Sequence, residues 1–331
     1  MKCIITGATG HIGNTLTKKL CEAGNDVSAF VLPNEDTSCL KNTSAKLIYG
    51  DIRNESDVLK AFSGCDVVFH LAGIIAIDSG QKKIMDDVNI NGVKNVISAC
   101  SKLHIKRLVY TSSVHAIAEP KFDVPISETD CFSKGMVKGE YAKSKAEATR
   151  LILEAAKGGL NVVVVHPAGV IGPNDYKLSN IGQMMNDFVN GELPAYIDGK
   201  YNFVDVRDVA DAIISANIKG KSGECYILSG EMISVKDMFS YLEEVTGAPA
   251  PKRKIPCFLA ILAAPFFAIH YKLHHRKPVF TAYSVQTLQT NCNFCNAKAK
   301  NDLDFRPRSV RVSLKDAVLW LTHHQKKVLS H

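Results

Sequence analysis

The sequence has no long basic block and no interleaving of basic with aromatic residues. Its formal net charge of +7 therefore reads as a dispersed, solvated surface that also suits an anionic cofactor, and no nucleic-acid partner is expected. Ten cysteines occur at no repeated spacing, so no disulfide framework is expected. Cys292-Asn-Phe-Cys295 has no second pair at zinc-site distance, which leaves no metal site. With no secretory leader ahead of Cys3, the thiols read as reduced and the location as cytoplasmic. No apolar run reaches the roughly 20 residues of a spanning helix. The most apolar stretch, 255–269, is interrupted by Pro265 and followed by Lys272, Arg276 and Lys277. It reads first as a buried helix lining an apolar pocket, and second as peripheral contact with a membrane surface. No internal repeat or low-complexity segment is present, which removes solenoids and arrays.

What is present is alternation. A hydrophobic fraction of 46% over 331 residues supports a large core. Short apolar runs are expected as strands at Cys3–Ile5, Asp26–Leu32, Lys46–Tyr49, Val67–Leu71, Leu108–Thr111, Val162–His166 and Cys225–Leu228. Helical periodicity lies between them, at Ile12–Ala23, Glu55–Phe62, Met85–Leu103, Glu140–Ala156 and Val206–Ile218. Strand–helix alternation predicts an α/β fold, a doubly wound parallel sheet with helices on both faces. After Gly172-Pro173 the rhythm changes. Residues 1–172, with 202–230 returning to them, are expected to form a dinucleotide-binding domain. Residues 173–201 and 231–331 are expected to form a smaller, mainly helical substrate-binding lobe.

The stretch CIITGATGHIG, Cys3 to Gly13, runs from strand to glycine turn to helix. Glycines there allow positive φ and let a foreign group approach the backbone closely. A helix N-terminus behind such a turn is a phosphate cradle. Further on, EYAKSKAEA places Tyr141 and Lys145 four apart, on one face of a helix. An ammonium beside a phenol is expected to lower the tyrosine pKa from about 10 toward working pH, as hydroxyl/carbonyl proton exchange requires. LVYTSSVHA places Thr111, Ser112 and Ser113 at a strand end, where ligand crevices open in such sheets. A serine hydroxyl at that point can donate to a carbonyl oxygen.

Taken in this order, the motifs resemble those of the extended short-chain dehydrogenases/reductases, the NAD-dependent epimerase/dehydratase superfamily. The likeness covers essentially the whole chain: TGATGHIG, GDIRN, HLAG, VNINGVKNV, the serine, the Tyr-x-x-x-Lys pair and HPAGVIGP. KPVFTAYSVQTL and KAKNDLDFRPRSV are similar to the branch of 3β-hydroxysteroid dehydrogenases and dihydroflavonol reductases. The resemblance implies a Rossmann-type fold with Tyr141 as acid/base. Lys145 would lower its pKa and hold a ribose, Ser113 would polarise the carbonyl, and Asn89 would support them. It implies cofactor contacts from Gly7, Thr9, Gly10, His11, Ile12 and Gly13, and from Asp51 and Ile52 at the adenine. Leu71, Ala72, Gly73 and Thr111 would lie beside the cofactor, with Pro167 and Val170 near the nicotinamide. A homodimer through 85–103 and 140–156 is also implied.

The acid that would bind an adenosine ribose is missing at the end of the second strand, where Val31 and Leu32 stand before Pro33-Asn34-Glu35-Asp36. Glu35 and Asp36 would mildly oppose a 2′-phosphate while Arg53 could approach one, so NAD and NADP both stay open. The expected activity is interconversion of a secondary alcohol and a ketone on a bulky apolar substrate, a 3β-hydroxysteroid foremost. A nucleotide-sugar epimerase or dehydratase is the alternative. A cofactor-binding regulator without turnover fits less well, because Ser113, Tyr141 and Lys145 are all intact.

Overall fold

The computed structural model describes residues 1–75, 81–120, 124–262, 285 and 287–329. The chain opens with β1 (Lys2–Thr6), α1 (His11–Glu22), β2 (Asp26–Val31), β3 (Lys46–Tyr49), α2 (Glu55–Phe62) and β4 (Val67–His70). There follow α3 (Lys82–Asp86), α4 (Gly92–Lys102), β5 (Arg107–Thr111), α5 (Glu140–Lys157) and β6 (Val162–Pro167). Next come β7 (Gly169–Ile171), α6 (Asn180–Val189), β8 (Ala195–Ile197), β9 (Lys200–Asp205), α7 (Val206–Lys219) and β10 (Cys225–Leu228). The last elements are β11 (Glu231–Ser234), α8 (Val235–Thr246), β12 (Arg253–Ile255), α9 (Ala297–Leu303) and α10 (Val310–Leu329).

Among the described residues, seven strands form one sheet in the order β10-β6-β5-β4-β1-β2-β3. Every neighbouring pair in it is parallel. A parallel sheet with helices on both faces buries its strands on both sides, so central strands read as unbroken apolar runs. The run Val162-Val163-Val164-Val165 is such a strand and is fully buried. The strand order reverses between β1 and β4, which pair Thr6 with His70 at their carboxyl ends. Ligands of open α/β sheets bind outside the strand ends at such a reversal. The helix expected over Met85–Leu103 is found as one helical run, α3 continuing into α4 through a π-turn, Asp87–Asn91.

The chain divides into two compact units. The first comprises Met1–Ala168, Arg207–Leu228 and Phe294–Arg306. The second comprises Gly169–Val206, Ser229–Asn293 and Pro307–His331. The sequence boundaries assigned 294–306 to the lobe; α9 instead packs with the first unit, where Ser215 Oγ donates to Leu303 O at 2.6 Å. The second unit holds a three-stranded sheet, β11-β9-β7, and a two-stranded one, β12-β8, beside α6, α8 and α10. Its described helices carry more residues than its strands, and strands of three residues such as β7 and β8 are too short to show a period of two.

Residues 263–269 of the apolar stretch lie outside the described residues. Within 257–262, which is helical, only Ala260 is buried, against Ile197 and Val285. Phe258, Leu259, Ile261 and Leu262 face solvent, so the expected buried helix is not found over these residues. Among the described residues no helix is long and apolar enough to cross a membrane.

Candidate active site

The glycines of the opening turn do three different jobs. Gly7 has φ +70°, and a Cβ there would come within 2.7 Å of Ala72 N. A Cβ on Gly13 would lie 2.0 Å from Gly7 O. Both are held by the protein's own backbone. Gly10 differs: it sits in the extended region at φ −72°, ψ 170°, and its Cβ would meet only Gly7 O at 3.3 Å. No side chain caps α1 behind it and no acid lies in the first turn. An uncapped helix N-terminus beside an open glycine is a cradle for a pyrophosphate, so Gly10, His11 and Ile12 fit a dinucleotide.

The acid missing from the end of β2 arrives by a turn. Glu35 N donates to Leu32 O at 3.1 Å, folding Glu35 back onto the strand end. Its carboxylate accepts Leu32 N at 3.1 Å and Thr9 Oγ1 at 2.5 Å, which brings it to the glycine turn. Arg53 goes elsewhere. Its Nε and Nη2 both donate to the Asp51 carboxylate, and the guanidinium holds that carboxyl below its usual range. In the chain alone Arg53 is thus held by its neighbour Asp51. Ile52 is buried and packs under Gly92, whose Cβ would lie 3.0 Å from Ile52 Cγ2.

At the end of β5, Ser113 is pinned on both sides. Its Oγ accepts His115 N at 3.2 Å, which leaves the hydroxyl proton to be donated outward. Its carbonyl accepts the Nδ1–H of His166 at 2.9 Å. Ser112 and Thr149 share a bond of 2.7 Å that ties this strand end to α5. On α5, Tyr141 and Lys145 both face inward. Tyr141 packs on Met85, with His115 edge-on at a ring-centroid distance of 6.2 Å. Lys145 Nζ donates to Thr111 O at 3.0 Å. A Cβ on Gly73 would lie 3.4 Å from that Nζ and 3.3 Å from Asn89 Oδ1, so Leu71-Ala72-Gly73 run close beside the pair.

Asn89 lies on the π-turn, and its amide is spent on neighbours. Oδ1 accepts Ile74 N at 2.8 Å, while Nδ2 donates to Ile74 O and to Ser144 Oγ, each at 3.0 Å. It positions the segment after β4 against α5 and makes no bond to Lys145. Pro167 ends β6 in the first unit, whereas Val170 belongs to β7 of the second. Sequence reasoning missed His166, Ser144 and the Glu35 contact.

Burial governs the ionisation here. It pushes the Tyr141 phenol up to about 12, against the lowering effect of the Ser113 hydroxyl beside it. The expected depression by Lys145 is not found in the chain alone, because burial also lowers Lys145, to about 8. His115 and His166 are driven down to about 4, mainly by burial, so neither carries charge at neutral pH. A buried lysine whose folded pKa lies below its unfolded value binds fewer protons folded than unfolded between the two, so folding stability rises with pH there. For Lys145 that window starts near 8. Relative to Lys145→Met, wild type is expected to gain about 2 kcal/mol between roughly pH 7.5 and 9.5. Urea unfolding of both proteins at the two pH values checks this; a constant difference would contradict a buried, charged Lys145.

The residues so arranged can pass a proton to or from an oxygen held against Ser113, beside a cradle suited to a dinucleotide. The model of the NAD dependent epimerase/dehydratase family matches residues 3–228, a span that includes all of these groups. The chain is 30% identical over 326 residues to sterol demethylase protein B of Methylococcus capsulatus, covering 97% of this chain and 98% of that protein. It is 28% identical over 337 residues to 3beta-hydroxysteroid-dehydrogenase/decarboxylase isoform 1 of Arabidopsis thaliana, covering 92% of this chain and 76% of that one. The crystal structure of gox2253 matches with a TM-score of 0.84 at 30% identity over 98% of both chains. The chain belongs to the NAD dependent epimerase/dehydratase family.

Proposed function

We propose that the protein is an NAD-dependent dehydrogenase that interconverts a secondary alcohol and a ketone on a bulky apolar substrate of the 3β-hydroxysteroid class. The observation that carries this reading is the buried Tyr141 on α5 with Lys145 one helical turn on, the lysine bound to Thr111 at the strand end that leads to Ser113. The substrate class is supported by the relatives named for sterols and 3β-hydroxysteroids. In the oxidising direction Tyr141 takes the hydroxyl proton while Ser113 donates to the same oxygen. The bound nicotinamide supplies the hydride acceptor. Lys145 would hold the nicotinamide ribose, and its charge would favour the Tyr141 phenolate once the site is filled. The first unit would carry the cofactor and the second would select the substrate. Purified protein with NAD is assayed on 3β-hydroxysteroids, dihydroflavonols and nucleotide sugars. Ketone and NADH from the steroid support the reading. Epimerised sugar, with the steroid untouched, would assign the alternative.

Glu35 would set the choice of dinucleotide. Its carboxylate, held at Thr9 and Leu32, suits the hydroxyls of an adenosine ribose and repels a 2′-phosphate. Glu35→Ser is expected to narrow the preference for NAD over NADP about tenfold or more in kcat/KM. An unchanged ratio would remove Glu35 from that role.

A further inference from the structure

Between Glu244 and Asp302 the chain holds no aspartate or glutamate. Within that segment stand Lys252, Arg253, Lys254, Lys272, Arg276, Lys277, Lys298 and Lys300, eight cations against a formal net charge of +7 for the whole chain. Along the sequence this stretch is thus cationic throughout, although no basic block in it is long. Lys252, Arg253 and Lys254 are exposed, and Lys254 meets Asp198 at 2.6 Å.

The helical residues 257–262 follow directly. At about 100° per residue, Phe258, Leu259, Ile261 and Leu262 fan over one half of the circumference and Ala260 lies opposite. Their accessibility follows the same division. Ala260 is 3% exposed, while Phe258 is 63%, Leu259 46%, Ile261 37% and Leu262 68% exposed. Four large apolar side chains on one and a half turns are a contiguous patch of the kind that marks an interaction surface. The apolar residues are too few to span a bilayer, and cations stand at their edge. That combination fits a surface with negative charge outside and an apolar layer beneath, which is what anionic headgroups over acyl chains provide.

We propose that residues 252–262 dock on the surface of an anionic lipid bilayer, with Phe258 and Leu262 in the headgroup–acyl boundary and Lys252 and Arg253 at the phosphates. The docking does not depend on the substrate assigned above. The test is flotation of the full chain with vesicles of phosphatidylcholine alone or in equimolar mixture with phosphatidylserine. Binding is expected to the mixed vesicles, about tenfold weaker to phosphatidylcholine alone, and weaker in raised salt. The double variant Phe258→Ser/Leu262→Ser and the double variant Lys252→Glu/Arg253→Glu should each lose about tenfold in partition. NADH binding by both variants should stay as in wild type, which keeps this test apart from that of the catalytic reading. Absence of wild-type binding to mixed vesicles would overturn the proposal, as would variants that float like wild type. A patch that instead joined two copies, seen as a molar mass lowered by the serine variant in lipid-free buffer without vesicle binding, would overturn it too.

Discussion

Gly10→Val is expected to abolish NADH binding, by at least ~100-fold or about 3 kcal/mol, while the protein stays folded. The neighbouring glycines are expected to behave in the opposite way. At Gly10 the backbone is extended and its Cβ would meet only Gly7 O at 3.3 Å, so a side chain there asks that oxygen to give by a few tenths of an ångström. What the side chain fills is the space in front of the uncapped start of α1, where a pyrophosphate would sit. A Cβ on Gly13 would overlap Gly7 O at 2.0 Å, and Gly7 would meet Ala72 N at 2.7 Å from a positive φ. Gly13→Ala and Gly7→Val should therefore lower the melting temperature by many degrees, and Gly10→Val by only a few. Calorimetric titration with NADH, beside thermal scans of the three variants, checks the contrast. Unchanged NADH affinity in Gly10→Val would contradict the cradle.

Tyr141→Phe should lower kcat by roughly 10²–10⁴, the range supplied by general acid–base catalysis, with NADH affinity changed less than about threefold. The ring remains, and with it the packing on Met85 and the edge contact with His115. Only the ionisable oxygen beside Ser113 is lost. The nearby histidines are poor substitutes: burial holds His115 and His166 near 4, so each is a weak base, and the Nδ1 proton of His166 is committed to Ser113 O. Steady-state turnover together with NADH titration separates loss of chemistry from loss of binding. Full turnover by Tyr141→Phe on any substrate would end the assignment.

The parallel sheet was legible in the sequence because each central strand is an apolar run bounded by a turn; even the edge strands β3 and β10 match the expected Lys46–Tyr49 and Cys225–Leu228 residue for residue. Ser113, Tyr141 and Lys145 were legible as a set because the serines end a strand and the other two lie one helical turn apart. Their ionisation was not. Sequence places an ammonium near a phenol but cannot weigh burial, which here dominates both groups. Partners distant in sequence were equally hidden. Nothing near Glu35 predicts that a turn carries it back to Leu32 and onto Thr9, 26 residues earlier. Asn89 was found by its motif, yet its bonds to Ile74 and Ser144 depend on the π-turn that rotates it inward. The side taken by Phe258 and Leu262 was also unreadable, since an apolar residue looks the same in sequence whether it faces core or solvent.

The central claim is that hydride leaves the carbinol carbon of an apolar alcohol and departs with the released cofactor. It is tested most directly by incubating the protein with NAD and a 3β-hydroxysteroid that carries deuterium on that carbon. Mass spectrometry then follows the label. The account predicts deuterium in the released reduced dinucleotide, one for each ketone formed, and none with Tyr141→Phe on the same time scale. Steroid returned unchanged, from a protein that epimerises a nucleotide sugar with no net release of reduced cofactor, would contradict it.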